Sequence, residues 1–445
     1  MSDPKFRLGD QGVFDARTLG VPKMLLLGIQ HTFAMFGATV LVPILTGLDV
    51  ATTLLMAGLG TLLFHLLTKG KVPVFLGSSF AFLGGYAAVA PMLDGPRGPH
   101  TVANAEMLPY ACGGVFCAGL VYVVIAALIR AFGARKVMRY FPPVVTGPII
   151  ISIGLILAPT AIQNCAHNWM LALVALGVII VCNIWGKGMI KIIPIILGIV
   201  VSYLVALATG AVDFTAIQEA DRFIAMAPLH FMKFSASSII TIMPIALATM
   251  MEHIGDVSAI SATVGKNYIA DPGLHRTLLG DGLATSLSAA FGGPANTTYG
   301  ENTGVLALTK VYDPRVVRIA AFTAIVLSFF PKFAAVVNTI PAAIIGGVSL
   351  ILYGMISAIG VRNVVENQVD FTLSRNLIIA AVILVSALGF NTIGGISFSL
   401  FGATITLSGL AIAAIAGIVL NAILPGNDYE FVAPSQGAEA VTFKV

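Results

Sequence analysis

The chain is a succession of apolar runs, most of them close to the length that a helix needs to cross a lipid bilayer. About 20 mostly apolar residues span the hydrocarbon layer as a helix. Fourteen segments approach that demand, at residues 22–43, 51–68, 73–91, 108–130, 141–159, 168–186, 190–209, 236–262, 277–292, 298–310, 315–336, 338–361, 374–390 and 396–424. The residues between them cannot wrap a water-facing globule. Of 445 residues, 58% are hydrophobic and 10% charged, whereas a soluble domain carries about a quarter charged residues. Lipid must therefore serve as solvent for much of the surface, and the reading is an all-α polytopic membrane protein. Residues 1–21 carry Lys5, Arg7 and Arg17 without an apolar stretch. That is unlike a cleaved signal peptide, so the first run is expected to act as an uncleaved anchor.

Charge placement tests the count. With the N-terminus inside and fourteen alternating spans, only Arg97, Arg222, Lys233 and Lys332 of the 24 Lys and Arg fall outside. Such bias is the positive-inside signature, and it places both termini in the cytoplasm. Fourteen divides into seven and seven. Because seven is odd, related halves would insert in opposite senses, as inverted repeats. The third and tenth segments are interrupted by Gly, Ser and Thr, in Gly77-Ser78-Ser79 and in Asn296-Thr297-Thr298-Tyr299-Gly300. They occupy the same place in each half. Matched interruptions of this kind point to a transport site near the membrane midplane.

The ionisable residues inside apolar segments are few. Glu252 and Asp256 stand four residues apart and share one helix face, with His253 turned elsewhere. Glu301 opens the helical part of the tenth segment, His31 and Gln30 lie in the first, and Phe80 begins the helical part of the third. A carboxyl at the centre of a span costs about 2.5–3.5 kcal/mol on insertion scales. Its retention there favours a ligand or a proton over mere helix–helix contact. Asp281 reads as a helix cap near the start of the ninth segment. An intramembrane metalloenzyme built on Glu252, His253 and Asp256 is disfavoured, because neighbours on a helix cannot both face one ion and no second histidine stands at i+4. A channel is also disfavoured, since paired broken helices with buried carboxyls suit alternating access better than an open pore. Cys112, Cys117, Cys165 and Cys182 have neither metal-ligand spacing nor a disulfide pattern, and no cofactor is expected.

These segments resemble the nucleobase–ascorbate transporter family, and within it the bacterial uracil permeases. Its signature stands here as Glu301-Asn302-Thr303-Gly304-Val305-Leu306-Ala307-Leu308-Thr309-Lys310. Also similar are Gln30-His31 with Ala34-Met35-Phe36-Gly37-Ala38-Thr39, the run Gly77 to Phe82, Asp271-Pro272-Gly273-Leu274-His275-Arg276 and Gly347-Val348-Ser349-Leu350. The matches run from about residue 22 to 360.

The resemblance implies fourteen spans in two inverted sevens, with short strands in the third and tenth. It implies a core domain at 22–132 and 236–336, a gate domain at 133–210 and 337–424, and cytoplasmic tails at 1–21 and 425–445. It further implies import of uracil with a proton across a bacterial inner membrane, by elevator-type movement in a homodimer, without nucleic acid as a partner. Carried over residue by residue, Glu252 and Glu301 would hold the base, with Phe80, Ala38, Tyr299 and Gly300 lining the pocket and Ser349 and Tyr353 facing it from the gate. Proton coupling would involve Glu301, Glu252, Asp256 and His31. The chain departs from the best-known uracil pattern in having Asp256 where a histidine is usual. Purine carriers of the family commonly have aspartate there, so a xanthine or uric acid permease is the alternative. The Glu301 opening and the Thr-Thr-Tyr-Gly-Glu-Asn run favour a pyrimidine.

Overall fold

The computed structural model describes residues 12–95, 98–219, 222–400, 403–426 and 429. The expectations for Lys5, Arg7, Arg97, Lys444 and most of both tails lie outside the described residues. The first half of the chain forms α1 (Val21–Thr46), α2 (Val50–Leu67), strand β1 (Leu76–Ser78), α3 (Leu83–Val89), α4 (Leu108–Phe132), α5 (Pro143–Ala166), α6 (Trp169–Trp185) and α7 (Pro194–Ala208). The second half forms α8 (Ala236–Ile242), α9 (Ile245–Val264), α10 (Leu274–Ala290), strand β2 (Asn296–Thr298), α11 (Gly300–Thr309), α12 (Pro314–Ser328), α13 (Pro331–Asn338), α14 (Ala342–Glu366), α15 (Ser374–Thr392), strands β3 (Ile396–Leu400) and β4 (Ala403–Leu407), and α16 (Gly409–Ile423).

Local chemistry sets the helix ends. Asp49 caps α2 by accepting a bond from the Thr52 amide at 2.6 Å, and Asp313 caps α12 through the Arg315 amide at 2.9 Å. Each satisfies an amide that the first helical turn leaves without a partner. Gly47 ends α1 in the left-handed conformation. In place of an unbroken eleventh segment, α12 and α13 meet at a bend of 89°. Pro331 opens the second of the two, where it cannot donate the bond that would continue the first. The fourteenth segment also differs from expectation. Its first half is the β3–β4 hairpin, paired from Ile396 with Leu407 to Leu400 with Ala403, and only α16 is helical.

Seven helices among the described residues are long and apolar enough to cross a membrane, or eight if α12 and α13 count as one bent span. The pieces corresponding to the third, sixth, seventh and fourteenth segments are shorter apolar helices. The halves interleave rather than standing side by side. α5 packs along α14, α4 along α10, and α2 along both α10 and α12, while α6 pairs with α7 and α15 with α16. The antiparallel pair β1–β2 joins the two halves of the chain, and all six of its residues are buried.

On one face, the segment before α1 is strapped to the α11–α12 connection. Val13 bonds Lys310 and Tyr312 through its backbone at 2.8 Å each. The Ala16 amide donates to Asp313 at 2.8 Å, and Arg315 reaches Asp15 at 2.9 Å. The hydrogen bond from Arg17 holds the Asp15 carboxyl well below the usual carboxylate range.

Candidate functional site

Strands β1 and β2 form the floor of the site. Leu76 lies opposite Thr298, Gly77 opposite Thr297 and Ser78 opposite Asn296. Non-helical backbone at membrane depth needs its polar groups satisfied by protein, and two threonines supply part of this. Thr61 of α2 accepts from the Leu76 amide at 2.9 Å and donates to the Leu76 carbonyl at 3.2 Å. Thr285 of α10 does the same for Asn296, at 3.2 Å from its amide and 2.9 Å from its carbonyl. The Asn296 side chain donates to the carbonyls of Met56 and Ala284 at 3.4 and 3.3 Å. His65 is likewise tied to the Val74 carbonyl at 2.9 Å.

The ring of Tyr299 lies buried against Gly77. A Cβ added to Gly77 would stand 2.3 Å from that ring, so no larger residue fits without displacing it. The Tyr299 hydroxyl donates to the Ser78 carbonyl at 2.9 Å, and the Ser78 hydroxyl donates to the Thr39 carbonyl of α1 at 2.9 Å. This network fixes the point where both strands give way to helices. After β1 the chain turns at Phe80 into a short helix that continues as α3. After β2 it enters α11 at Gly300, with Glu301 in the first turn. Two helix starts therefore meet beside the paired strands, where free amides and positive dipole ends favour acceptor oxygens and anions.

α9 brings the acidic groups to this point. Thr298 donates to Asp256 at 2.7 Å. A Cβ on Gly300 would lie 3.9 Å from the same carboxyl. Glu252 stands one turn away, and both Glu252 and Asp256 lie within electrostatic reach of Glu301 and of Asp281. Glu252, Asp256, Glu301 and Phe80 are half-buried and Gly300 is exposed, so the cluster keeps an accessible side. Phe80 also meets Tyr353 of α14 edge-on, with centroids 6.3 Å apart.

Ala38, Tyr299, Ser349 and Tyr353 are buried. His31 is buried on α1 and held by Asn302 of α11, whose amide stands 3.0 Å from its Nδ1 and 3.1 Å from its backbone carbonyl. Asp281 is not a helix cap. α10 begins at Leu274, so Asp281 falls well inside it, fully buried, with an oxygen 3.1 Å from His253 Nδ1. The histidine adjacent to Glu252 thus points away from the acidic cluster into the α9–α10 contact.

Sequence reasoning passed over Thr298, Asn302, Thr61 and Thr285. Thr61 and Thr285 carried a usable signal, since each sits in the segment preceding a broken one, at the same place in its half. Asn302 stands in the family signature and Thr298 in the interrupted tenth segment, but their partners His31 and Asp256 lie far away in the chain and no local pattern pairs them.

A model of the permease family matches residues 22–396. A uracil permease of Bacillus caldolyticus is 44% identical over 93% of this chain and 94% of its own length. A uracil permease of Bacillus subtilis is 41% identical over 89% of this chain and 91% of its own. The putative pyrimidine permease RutG of Escherichia coli is 40% identical over 89% and 88%. The transmembrane domain of a cyanobacterial bicarbonate transporter, BicA, superposes with a TM-score of 0.56 at 16% identity, over 86% of this chain and 98% of that one. SLC26A9 superposes with 0.61 at 13% identity, over 94% and 66%. At such low identity these two solved structures speak for the fold alone.

Proposed function

The chain belongs to the permease family, as a multi-pass membrane protein with relatives that are named transporters rather than enzymes, and from that premise we propose that it imports uracil together with a proton across a bacterial inner membrane. The observation that carries the reading is the meeting of two strand-to-helix starts with the carboxyls of Glu252, Asp256 and Glu301. Uracil offers ring N–H donors and carbonyl acceptors in one plane. Glu252 and Glu301 accept from the ring N–H groups. Amides at Phe80 and at Gly300–Glu301 donate to the carbonyls, and the Phe80 ring lies against the heterocycle. The buried Ala38, Tyr299, Ser349 and Tyr353 shape the pocket from behind.

A proton taken up by one carboxyl removes a charge from a cluster that low dielectric makes costly. In this reading Glu301 carries that proton. Glu252 and Asp256 set the charge around it, and His31 orients Asn302 beside it. Substrate and proton then cross together because either alone leaves the cluster uncompensated.

The pairing of α4 with α10 and of α2 with α12 supports an arrangement of fourteen spans in two inverted sevens, since exchanging the halves turns one pair into the other. On this reading residues 22–132 and 236–336 form a core that carries the site. Residues 133–210 and 337–424 form a gate built around the α5–α14 contact, through which two copies associate. The core moves past the gate to expose the site on either side.

One feature favours testing a purine alternative, namely Asp256 held by Thr298 at the edge of the cluster. Uptake of radiolabelled uracil by cells lacking their own permease tests both readings. Expected is saturable uptake that unlabelled uracil abolishes and xanthine or uric acid leaves largely intact. Strong competition by xanthine at low concentration, or absence of uracil uptake, contradicts the assignment.

A further inference from the structure

Away from the strand pair, a cavity of about 630 Å³ opens between the end of α2, the α9–α10 connection and the α11–α12 connection. That volume lies in the range of small-molecule sites. Its wall carries Lys71, Lys266, Arg315 and Arg318 against Asp271 and Asp313. Two of the cations are neutralised in place. Lys71 Nζ meets Asp271 at 2.5 Å, and Arg315 meets Asp313 at 3.2 Å and Asp15 at 2.9 Å.

The other two cations have no carboxylate partner among the described residues. Lys266 lies 4.1 Å from the centroid of the Phe14 ring. Arg318 is half-buried, and its Nε is buried without a hydrogen-bond partner. A buried guanidinium nitrogen without an acceptor is costly. Gly70 makes the room that Arg318 uses, because a Cβ there would stand 2.8 Å from its Nη2. Gly70 has a φ of +63°, a conformation that other residues seldom adopt.

Membrane orientation accounts for basic residues on this face. It does not account for an unpaired guanidinium set into a cavity wall beside an aromatic-backed ammonium. We propose that this cavity is a binding site for a phosphate group, with Arg318 as its principal ligand and Lys266 as the second. The two unmatched positive charges complement a phosphomonoester, which carries between one and two negative charges at neutral pH. The guanidinium fork suits phosphate oxygens in pairs. Such a group is offered both by soluble phosphate compounds and by an anionic lipid headgroup. The occupant would bridge Gly70–Lys71, just ahead of β1, and Tyr312–Arg318, just after α11. It would thus tie together the basic-face connections of both broken segments.

The test uses the purified full chain in phosphatidylcholine nanodiscs, with thermal unfolding followed at matched ionic strength. One arm titrates inorganic phosphate against chloride, and the other replaces part of the lipid by phosphatidic acid. The expected result is a raised midpoint in at least one arm. Arg318→Gln and Lys266→Gln should each shift the half-saturating concentration up about tenfold or more, as loss of one charge-assisted bond implies. Protection by inorganic phosphate identifies a soluble source, and protection only with phosphatidic acid identifies a lipid. Absence of protection in both arms, or equal protection of wild type and variants, overturns the site. Lys266 is exposed, so its variant remains informative if Arg318→Gln fails to fold. Stabilisation by uracil, measured in the same discs, separates failure here from failure of the transport reading.

Discussion

Glu301 sits where two requirements meet. It opens a helix, where negative charge is favoured, and it lies inside an apolar span, where charge is disfavoured. Glu301→Gln keeps the shape and the acceptor oxygen but cannot exchange a proton. Cells expressing it are expected to equilibrate radiolabelled uracil without concentrating it, and concentration at the wild-type level would remove Glu301 from the coupling role. Gly77 offers a different kind of test. Its α-hydrogen faces the Tyr299 ring where a Cβ would stand at 2.3 Å. Gly77→Ala is expected to cost about 1–3 kcal/mol of stability through overpacking, read as a lower unfolding midpoint with reduced uracil uptake. Tyr299→Phe, losing one hydroxyl bond to Ser78, is expected to cost about 1 kcal/mol. At this scale the candidate carboxyls were visible in the sequence because charge is rare in apolar segments. Asp281 was misread for want of three residues. With α10 starting at Leu274 rather than 277, the residue moves from the helix entrance to the α9–α10 contact with His253. Gly273 and Pro272, immediately before, mark that start.

At the scale of elements, the decisive feature is a pair of three-residue strands whose backbone is completed by helices on both sides. Leu76 and Thr298 are direct partners in β1 and β2. Opposite residues in an antiparallel pair stand about 4.5–5.5 Å apart at Cα, inside the span of a disulfide. In a background without Cys112, Cys117, Cys165 and Cys182, a Leu76→Cys, Thr298→Cys pair is expected to cross-link under oxidant, whereas Leu76→Cys with Asn296→Cys is not. Equal cross-linking of both pairs, or of neither, contradicts the register. Thr61→Val and Thr285→Val each strip both bonds from one strand. Each is expected to cost about 1–3 kcal/mol, the penalty of leaving buried backbone unpaired, measured as a lower unfolding midpoint in detergent. The two broken segments were legible from their Gly, Ser and Thr clusters. The β3–β4 hairpin was missed although Ile396-Ser397-Phe398-Ser399-Leu400 alternates apolar with polar residues, the period of a strand, behind Gly394-Gly395, because the apolar run that follows completes the length of a span. The bend between α12 and α13 was announced by Pro331, yet a single apolar run across it masked the corner.

At the scale of the molecule, the length of the apolar runs located most of the long helices, since each span must satisfy the bilayer on its own. What the chain does with the spans was harder to read. Interleaving of the halves depends on contacts between α2, α4, α10 and α12 that no local pattern carries. The kinship with uracil permeases over about nine-tenths of the chain supports a nucleobase substrate, and the acidic cluster beside the strand pair is the ground for the proposal that a proton shares its site. The most direct test reconstitutes the purified chain in proteoliposomes, imposes an inward proton gradient and follows radiolabelled uracil. The expected result is transient accumulation above equilibrium that a proton uncoupler abolishes and Glu301→Gln fails to produce. Accumulation that survives the uncoupler, or uracil movement indifferent to the gradient, would contradict the shared site.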